Sequence, residues 1–132
     1  MTLLEVQAGQ ELPEVVIPAV DAEKMKLMAA LLRDPNPIHF DVDSVRALGL
    51  GDRPVNQGPS NLSYLLDMVT RWSGGVPTLR QVSVRFLGNV FAGDRVVCRG
   101  RVVDAADGVV TLDVDARVGD RQVLQGAVTV AP

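Results

Sequence analysis

The sequence predicts an α+β fold in which a curved antiparallel sheet wraps around one long buried helix. In the first half of the chain, apolar residues recur at helical spacing. After Pro77 they alternate with polar residues, which is typical of half-buried strands. The change falls at the turn-forming sequence Gly74-Gly75-Val76-Pro77. At 132 residues the chain is long enough to bury its own core, and we expect residues 1–132 to form a single domain.

The first predicted helix begins at Asp21, whose side chain can cap it. Its apolar positions follow at helical spacing: Met25, Leu27, Met28, Leu31 and Leu32. Pro35 and Pro37 disfavour helix at the residues before them, so the chain there should be extended or in turns. A short helix is expected to resume over 44–48, with Asp43 as its cap.

The second long helix is predicted to be the buried one. Gly58 is expected to cap it, with Pro59 at the first helical position. Its apolar stripe consists of Leu62, Leu65, Leu66, Val69 and Trp72. Few positions beside the stripe are wholly polar, so we expect this helix to be covered on more than one side.

The second half is predicted to form a four-stranded meander, because short connections make successive strands antiparallel neighbours. The four alternating segments lie near 82–86, 95–103, 110–118 and 121–130. The turn signals between them lie at 92–94, 107–108 and 119–120. A further strand is expected earlier in the chain, at 14–17.

Composition argues against several classes of function. The formal net charge is -3, so there is no overall basic field to attract nucleic acid. Cys98 is the only cysteine, which excludes an intramolecular disulfide and, with a single histidine, leaves too few ligands for a structural zinc site. We therefore expect no metal and no cofactor. No apolar run reaches the length of about 20 residues that spans a bilayer, and the first residues do not resemble a signal peptide, so a cytoplasmic location is the default.

The only histidine, His39, lies five residues after Asp34 in a loop that contains two prolines. A carboxylate and an imidazole are the side chains most often used to move protons near neutral pH, and a rigid loop can hold them in place. The spacing alone does not establish catalysis, because such a pair is more often structural.

The loop sequence Asp34-x-Asn36-Pro37-Ile38-His39-x-Asp41 resembles the hydratase signature of MaoC-like dehydratases. This family includes the (R)-specific enoyl-CoA hydratases and the (3R)-hydroxyacyl-thioester dehydratases of the hot-dog fold. Two further segments are similar to the family in the same order. Residues 55–58, before the apolar helix, resemble the entry to its central helix, and residues 91–96 resemble its later strand-turn-strand element.

The resemblance implies reversible hydration of a 2-enoyl thioester to the (3R)-hydroxyacyl thioester. Asp34 and His39 would hold and activate the water. Backbone N–H groups at the start of the second long helix would stabilise the charge on the thioester oxygen, and Gly58 is the best candidate because a glycine permits close approach.

Three further residues of these motifs have weaker expectations. Asn36 would brace the loop or orient the Asp-His pair, although an ordinary Asx turn is an equal alternative. Asp41 is a candidate only for holding the exit of the loop, and Asn56 is similarly weak.

Two departures from the family pattern concern the surroundings of the site. The family often has Ser-Gly before the signature Asp, where this chain has Leu32-Arg33, and it commonly has His-Gly where this chain has Gln57-Gly58. Arg33 could pair with Asp34 in place of His39. Both departures bear on the substrate range.

The same resemblance implies a partner, because the family's active sites lie near the interface between two hot-dog units. A homodimer is the simplest arrangement, and a heterodimer with another hot-dog subunit stays open. The expected substrate is an acyl-CoA or acyl-carrier thioester. Arg71, Arg80 and Arg85 are candidate contacts for CoA phosphates, although exposed arginines are usually only solvated surface.

Two alternative functions remain open at this stage. The first is a catalytically silent hot-dog protein that serves as a partner subunit or an acyl-binding module; the presence of both Asp34 and His39 argues against it. The second is a hot-dog thioesterase, which usually places a carboxylate on or near the central helix, where this chain offers Asp67 well past the first turn.

Overall fold

The computed structural model describes residues 2–132. Its strands are β1 (Val15–Ile17), β2 (Leu79–Phe86), β3 (Val96–Ala106), β4 (Val109–Val118) and β5 (Arg121–Val130). Its α-helices are α1 (Ala22–Leu32), α2 (Val42–Ala47) and α3 (Gly58–Ser73). Short 3-10 turns cover Leu3–Glu5, Pro37–His39 and Val76–Thr78.

The strands form one antiparallel sheet in the order β1-β3-β4-β5-β2. This confirms the predicted α+β class and the predicted strand regions. The prediction of a four-stranded meander is wrong at one step, because β2 pairs with β5 and not with β3. The meander therefore contains only β3, β4 and β5.

The chain between β2 and β3 explains this difference. It does not form a hairpin, because its backbone bonds to other parts of the molecule. Leu87 N–H donates to Val123 of β5, and Ala92 N–H donates to the carbonyl of Pro54, ahead of α3. The segment thus crosses the end of the sheet, and β2 reaches the far edge.

Helix α3 packs on one face of the sheet through Leu65, Met68 and Val69, which are fully buried. The buried face of α3 includes Met68, which the predicted stripe did not, whereas Leu62, Leu66 and Trp72 of that stripe are only partly buried. Gly100 of β3 permits close contact, since a Cβ there would lie 3.2 Å from the Met68 methyl carbon. Ser60, Asn61 and Ser73 are also buried, so burial extends beyond the apolar stripe.

Two predicted helix starts are displaced. Helix α2 is capped by Asp41 and not by Asp43, because Asp41 is extended and its carboxylate accepts the Asp43 N–H at 3.1 Å. Helix α3 is preceded by Gln57 as its N-cap, so Gly58 is the first helical residue. The extended Gln57 carbonyl accepts the Asn61 N–H at 3.1 Å, which starts the helix one residue early.

Within residues 2–132, no helix is long and apolar enough to cross a membrane.

Candidate functional site

The end of α1 positions Asp34. Arg33 follows the helix in the left-handed conformation, with φ 51° and ψ 41°. This turn lets Asp34 N–H donate to Ala29 O at 2.9 Å and Arg33 N–H donate to Ala30 O at 3.2 Å. The two bonds form a Schellman motif, which satisfies carbonyls at the end of the helix. Asp34 is therefore attached to α1 through its own backbone.

Two consecutive Asx turns follow. Asp34 Oδ1 accepts the Asn36 N–H at 3.0 Å, and Asn36 Oδ1 accepts the Ile38 N–H at 3.3 Å. Pro37 then begins the 3-10 turn that contains His39. The Asx turn of Asn36 caps the 3-10 turn, and the Asn36 N–H is bound to the Asp34 carboxylate.

The turn brings His39 back to Asp34. The imidazole Nε2 lies 3.1 Å from Asp34 Oδ2, and Nδ1 lies 2.6 Å from the Val55 carbonyl oxygen. A carbonyl only accepts, so Nδ1 carries a proton and donates it. Nε2 is then the ring nitrogen that faces the Asp34 carboxylate.

The two members of the pair differ in exposure. The side chain of His39 is only 9% exposed, whereas that of Asp34 is 34% exposed. Asp34 also lines an open groove of about 420 Å³, together with Lys26, Ala29, Ala30, Pro35 and Phe40. A small molecule can therefore reach the carboxylate, while the imidazole lies behind it.

The same loop is joined to the start of α3. Val55 N–H donates to the Ile38 carbonyl at 2.9 Å, while its own carbonyl accepts from His39. Gly58 follows three residues later, so the first N–H groups of α3 begin within roughly 10 Å of backbone from the imidazole. N–H groups in the first turn of a helix have no partner within the helix and carry partial positive charge.

Gly58 lies beside the ring of Phe86, at the end of β2. A Cβ built on Gly58 would come 3.2 Å from Phe86 Cε1. That separation is tighter than ordinary van der Waals contact. A glycine at this position therefore leaves space between the start of α3 and the aromatic ring.

Residues 91–96 hold the segment before α3 from the opposite side. The buried Asp94 accepts the Phe91 N–H at 2.9 Å and pairs with Arg53 Nη1 at 2.9 Å. Arg53 also donates to the Ala92 carbonyl at 2.9 Å. The strand-turn-strand element singled out in the sequence therefore anchors the residues that lead to Val55.

The side chains of Asn56 and Gln57 are both buried before α3. Asn56 Nδ2 donates to Asn61 Oδ1 at 2.8 Å and to Tyr64 Oη at 3.1 Å, which makes it a structural residue of the helix start. Gln57 Nε2 donates to the Met25 carbonyl of α1 at 2.8 Å. The sequence did not predict this hydrogen bond. The one feature that could have pointed to it is a polar residue directly before a glycine-proline helix start.

Several other candidates lie elsewhere or are already engaged. Asp41 caps α2 and also accepts the Ser44 hydroxyl at 2.8 Å, so it holds the exit of the loop. In the described part of the chain, Asp34 pairs with His39 and not with Arg33. Arg71 pairs with Asp67 at 2.8 Å, and Arg80 donates to three backbone carbonyls.

Cys98 is a core residue of β3. Burial raises the pKa of its thiol to about 12, and the negative charges of Asp115 and Asp67 add to the shift. The thiol is therefore protonated near neutral pH and is not a nucleophile. Among residues 2–132, no group of three or more His, Cys, Asp and Glu side chains is arranged to hold a metal ion.

The chain is similar to known proteins in sequence and in fold. The family model of the MaoC like domain matches residues 5–123. No curated protein sequence matches the chain.

Solved structures with the same fold include two hydratases. The (R)-hydratase from A. caviae involved in PHA biosynthesis superposes with a TM-score of 0.84 at 22% identity, covering 96% of this chain and 97% of that one. R-hydratase PhaJ1 from Pseudomonas aeruginosa gives 0.85 at 19%, covering 99% and 85%. A chain of the ChsH1-ChsH2 complex from Mycobacterium tuberculosis gives 0.84 at 23%, covering 96% and 98%. At these identities the likeness establishes the hot-dog fold.

Replacing Arg33 by glycine is expected to stabilise the protein. A left-handed residue with a side chain costs roughly 1–2 kcal/mol, and the gain is reduced because glycine loses more entropy on folding. Arg33→Gly should therefore raise the free energy of unfolding in urea by about 0.5–1 kcal/mol. The control, Ala30→Gly within α1, should lower it by about 1 kcal/mol. A destabilised Arg33→Gly protein would contradict the assigned helix end.

Proposed function

Because the chain belongs to the family of the MaoC like domain, we propose that it is a hydratase that adds water to a 2-enoyl thioester. The product is the (3R)-hydroxyacyl thioester, and the reverse reaction is its dehydration. Family membership supports a hydratase or dehydratase activity in general. The observation that carries the specific reaction is the Asp34–His39 pair, at 3.1 Å, on a loop bound to the start of α3.

The pair supplies the proton chemistry. A water held at the exposed Asp34 carboxylate is deprotonated by the Asp-His pair as its oxygen attacks C3 of the enoyl group. The π electrons move toward the thioester, and C2 then takes up the proton that the pair has accepted, so that one water is added in total. His39 suits this reaction because the hydrogen bond from its Nδ1 to a backbone carbonyl fixes the orientation of its ring.

The start of α3 supplies the electrostatic stabilisation. Negative charge develops on the thioester oxygen as water adds, and N–H groups already oriented in the protein stabilise it without reorganising. We assign this role to the backbone N–H of Gly58. The glycine permits close approach of the carbonyl, and Phe86 forms an apolar wall beside it.

The two alternatives have less support. For the thioesterase, the carboxylate of Asp67 is bound to Arg71 at 2.8 Å and lies beyond the second turn of α3. A silent partner subunit would not need the Asp34–His39 pair, and the precise bonds that build it argue for a working site.

The active form is proposed to be a dimer joined through β2. This strand forms an edge of the sheet, and its apolar side chains are partly uncovered: Val82 is 37% and Phe86 is 54% exposed. An exposed apolar edge strand favours pairing with another strand. Since Phe86 contacts Gly58, an interface here would border the site. A second copy is the simplest partner, and the ChsH1-ChsH2 complex is an example of a solved relative that contains two different chains.

The proposed reaction predicts loss of the enoyl absorbance when the protein is mixed with crotonyl-CoA or longer enoyl-CoA thioesters, without release of thiol. Asp34→Asn and His39→Asn should each lower kcat by roughly 10²–10⁴-fold, because each removes one proton-transfer group. The asparagine at 39 can still donate to Val55. Thiol release would indicate the thioesterase, and no reaction of the wild type with any thioester would indicate the silent subunit.

Asp41→Asn is the matched control for these variants. It changes a carboxylate of the same loop, but an asparagine also caps helices well, so kcat should stay within about twofold of the wild type. Wild-type turnover in both Asp34→Asn and His39→Asn would refute the assigned pair.

Gly58→Ala is expected to lower kcat by roughly 10–100-fold, because its methyl group hinders approach to the N–H and meets Phe86. The double variant Gly58→Ala/Phe86→Leu removes the contact with the ring. If kcat falls because approach to the N–H is blocked, the double variant should keep the lowered kcat in steady-state assays. Full recovery would instead attribute the loss to the ring and count against the oxyanion role.

The dimer can be tested by light scattering, which should give twice the 14.1 kDa mass of one chain. Val82→Lys places a charge on the apolar edge and should yield monomers with little activity. Val103→Lys is the control, because Val103 is also exposed but lies on β3, inside the sheet. A fully active wild-type monomer would contradict the proposal.

A further inference from the structure

Gln57 carries an unusual buried amide. The residue is 1% exposed, and its Oε1 has no hydrogen-bond partner among the residues that the structure describes. The amide nitrogen has a partner, because Nε2 donates to Met25 O at 2.8 Å. The orientation is determined by this bond, since a rotated amide would place Oε1 against the carbonyl oxygen of Met25.

A half-satisfied buried amide is a poor choice for stability alone. An apolar side chain of the same shape would avoid the unpaired oxygen. The Met25 carbonyl does not need Gln57 either, because it lies inside α1, where the N–H of the residue four positions further on donates to it. What the amide adds is a directional connection between two helices.

The connection joins the two halves of the proposed site. Helix α1 carries Asp34 at its end, through the bond from Asp34 N–H to Ala29 O. Helix α3 begins with Gly58, the residue directly after Gln57. The Gln57–Met25 bond therefore connects the helix that carries Asp34 to the residue that precedes Gly58.

His39 is attached to the same segment by a different bond. Its Nδ1 donates to Val55 O, two residues before Gln57. Two separate bonds thus hold the imidazole and α1, one at Val55 and one at Gln57. Removing the Gln57 bond would leave the His39 bond intact, while α1, and with it Asp34, would lose its directional link to this segment and rely on the packing of Met25 for its distance from it.

We propose that Gln57 is a positioning residue that sets where the Asp34 carboxylate lies relative to His39 and to the Gly58 N–H. The expected effect of Gln57 on kcat rests on the proposed function, whereas its expected effect on the position of Asp34 does not. Gln57 does not touch the substrate, because its side chain is buried.

Gln57→Met tests the proposal, since methionine keeps the shape and removes the donor. A displacement on the order of 1 Å can lower turnover by about 10²-fold, so we expect kcat to fall by roughly 10–100-fold with KM little changed. The unpaired oxygen is removed as well, so Tm should stay within about 3 °C of the wild type or rise. A purely structural role would instead lower Tm together with activity.

The lone histidine gives a readout that needs no activity. In ¹⁵N NMR spectra of the wild type, both ring nitrogens belong to His39, because the chain has one histidine. In Gln57→Met, the Nδ1–H signal of the bond to Val55 should persist, while the Nε2 signal, which reports the contact with Asp34, should move. If the wild type proves inactive toward every thioester, this measurement still decides the geometric claim.

Gln57→His is the rescue variant, because an imidazole Nε2–H lies as many bonds from Cα as the glutamine Nε2–H. Its kcat should stay within about threefold of the wild type, well short of the loss expected for a misplaced group. Ser73→Ala is the matched control: this serine is buried at the opposite end of α3, where it bonds to Thr78, and its loss should leave kcat unchanged.

Three results would overturn the proposal: wild-type kcat in Gln57→Met, an unmoved Nε2 signal in that variant, or a fall in activity that follows a fall in Tm. If Gln57→Met does not fold, Gln57→His carries the test. A folded Gln57→His protein with a tenfold or greater loss of kcat would then refute the role of the donor.

Discussion

The short hydrogen bond from His39 Nδ1 to Val55 O, at 2.6 Å, is the contact on which the rest of the site depends. It joins a loop at the surface to the segment that starts the central helix. Because the bond uses Nδ1, it leaves Nε2 facing Asp34 and selects the ring orientation. A second bond, from Val55 N–H to the Ile38 carbonyl at 2.9 Å, joins the loop and the helix start through their backbones, and the His39 bond adds the fixed position of the ring.

The segment from Arg53 to Gly58 is held by an ion pair and hydrogen bonds from several parts of the chain. Asp94 holds Arg53, the loop after β2 pairs with Pro54 and Asn56, and α1 binds Gln57. These bonds come from parts of the chain that are far apart in sequence. The segment is therefore held by the folded protein as a whole, which suits a site whose parts must stay within tenths of an ångström.

Two residues near the site have conformations or contacts that lower the stability of the folded protein. Arg33 adopts a left-handed conformation that glycine would adopt at lower cost, and Gln57 buries an unpaired oxygen. Both lie on the path that places Asp34. Local strain and unsatisfied groups concentrate where geometry matters more than stability, and these two positions follow that rule.

The sequence by itself determined the class of the fold, the strand regions, the central helix, and the position of Asp34 and His39 on one short loop. These follow from local physics: the period of the apolar residues, the turn chemistry of glycine and proline, and the short spacing of the Asp-Asn-Pro-His loop. Tertiary structure decided the position of β2 beside β5, the carbonyl that anchors His39, and the link from Gln57 to α1. Each of these joins residues distant in the chain, and such contacts depend on three-dimensional packing that no local pattern encodes.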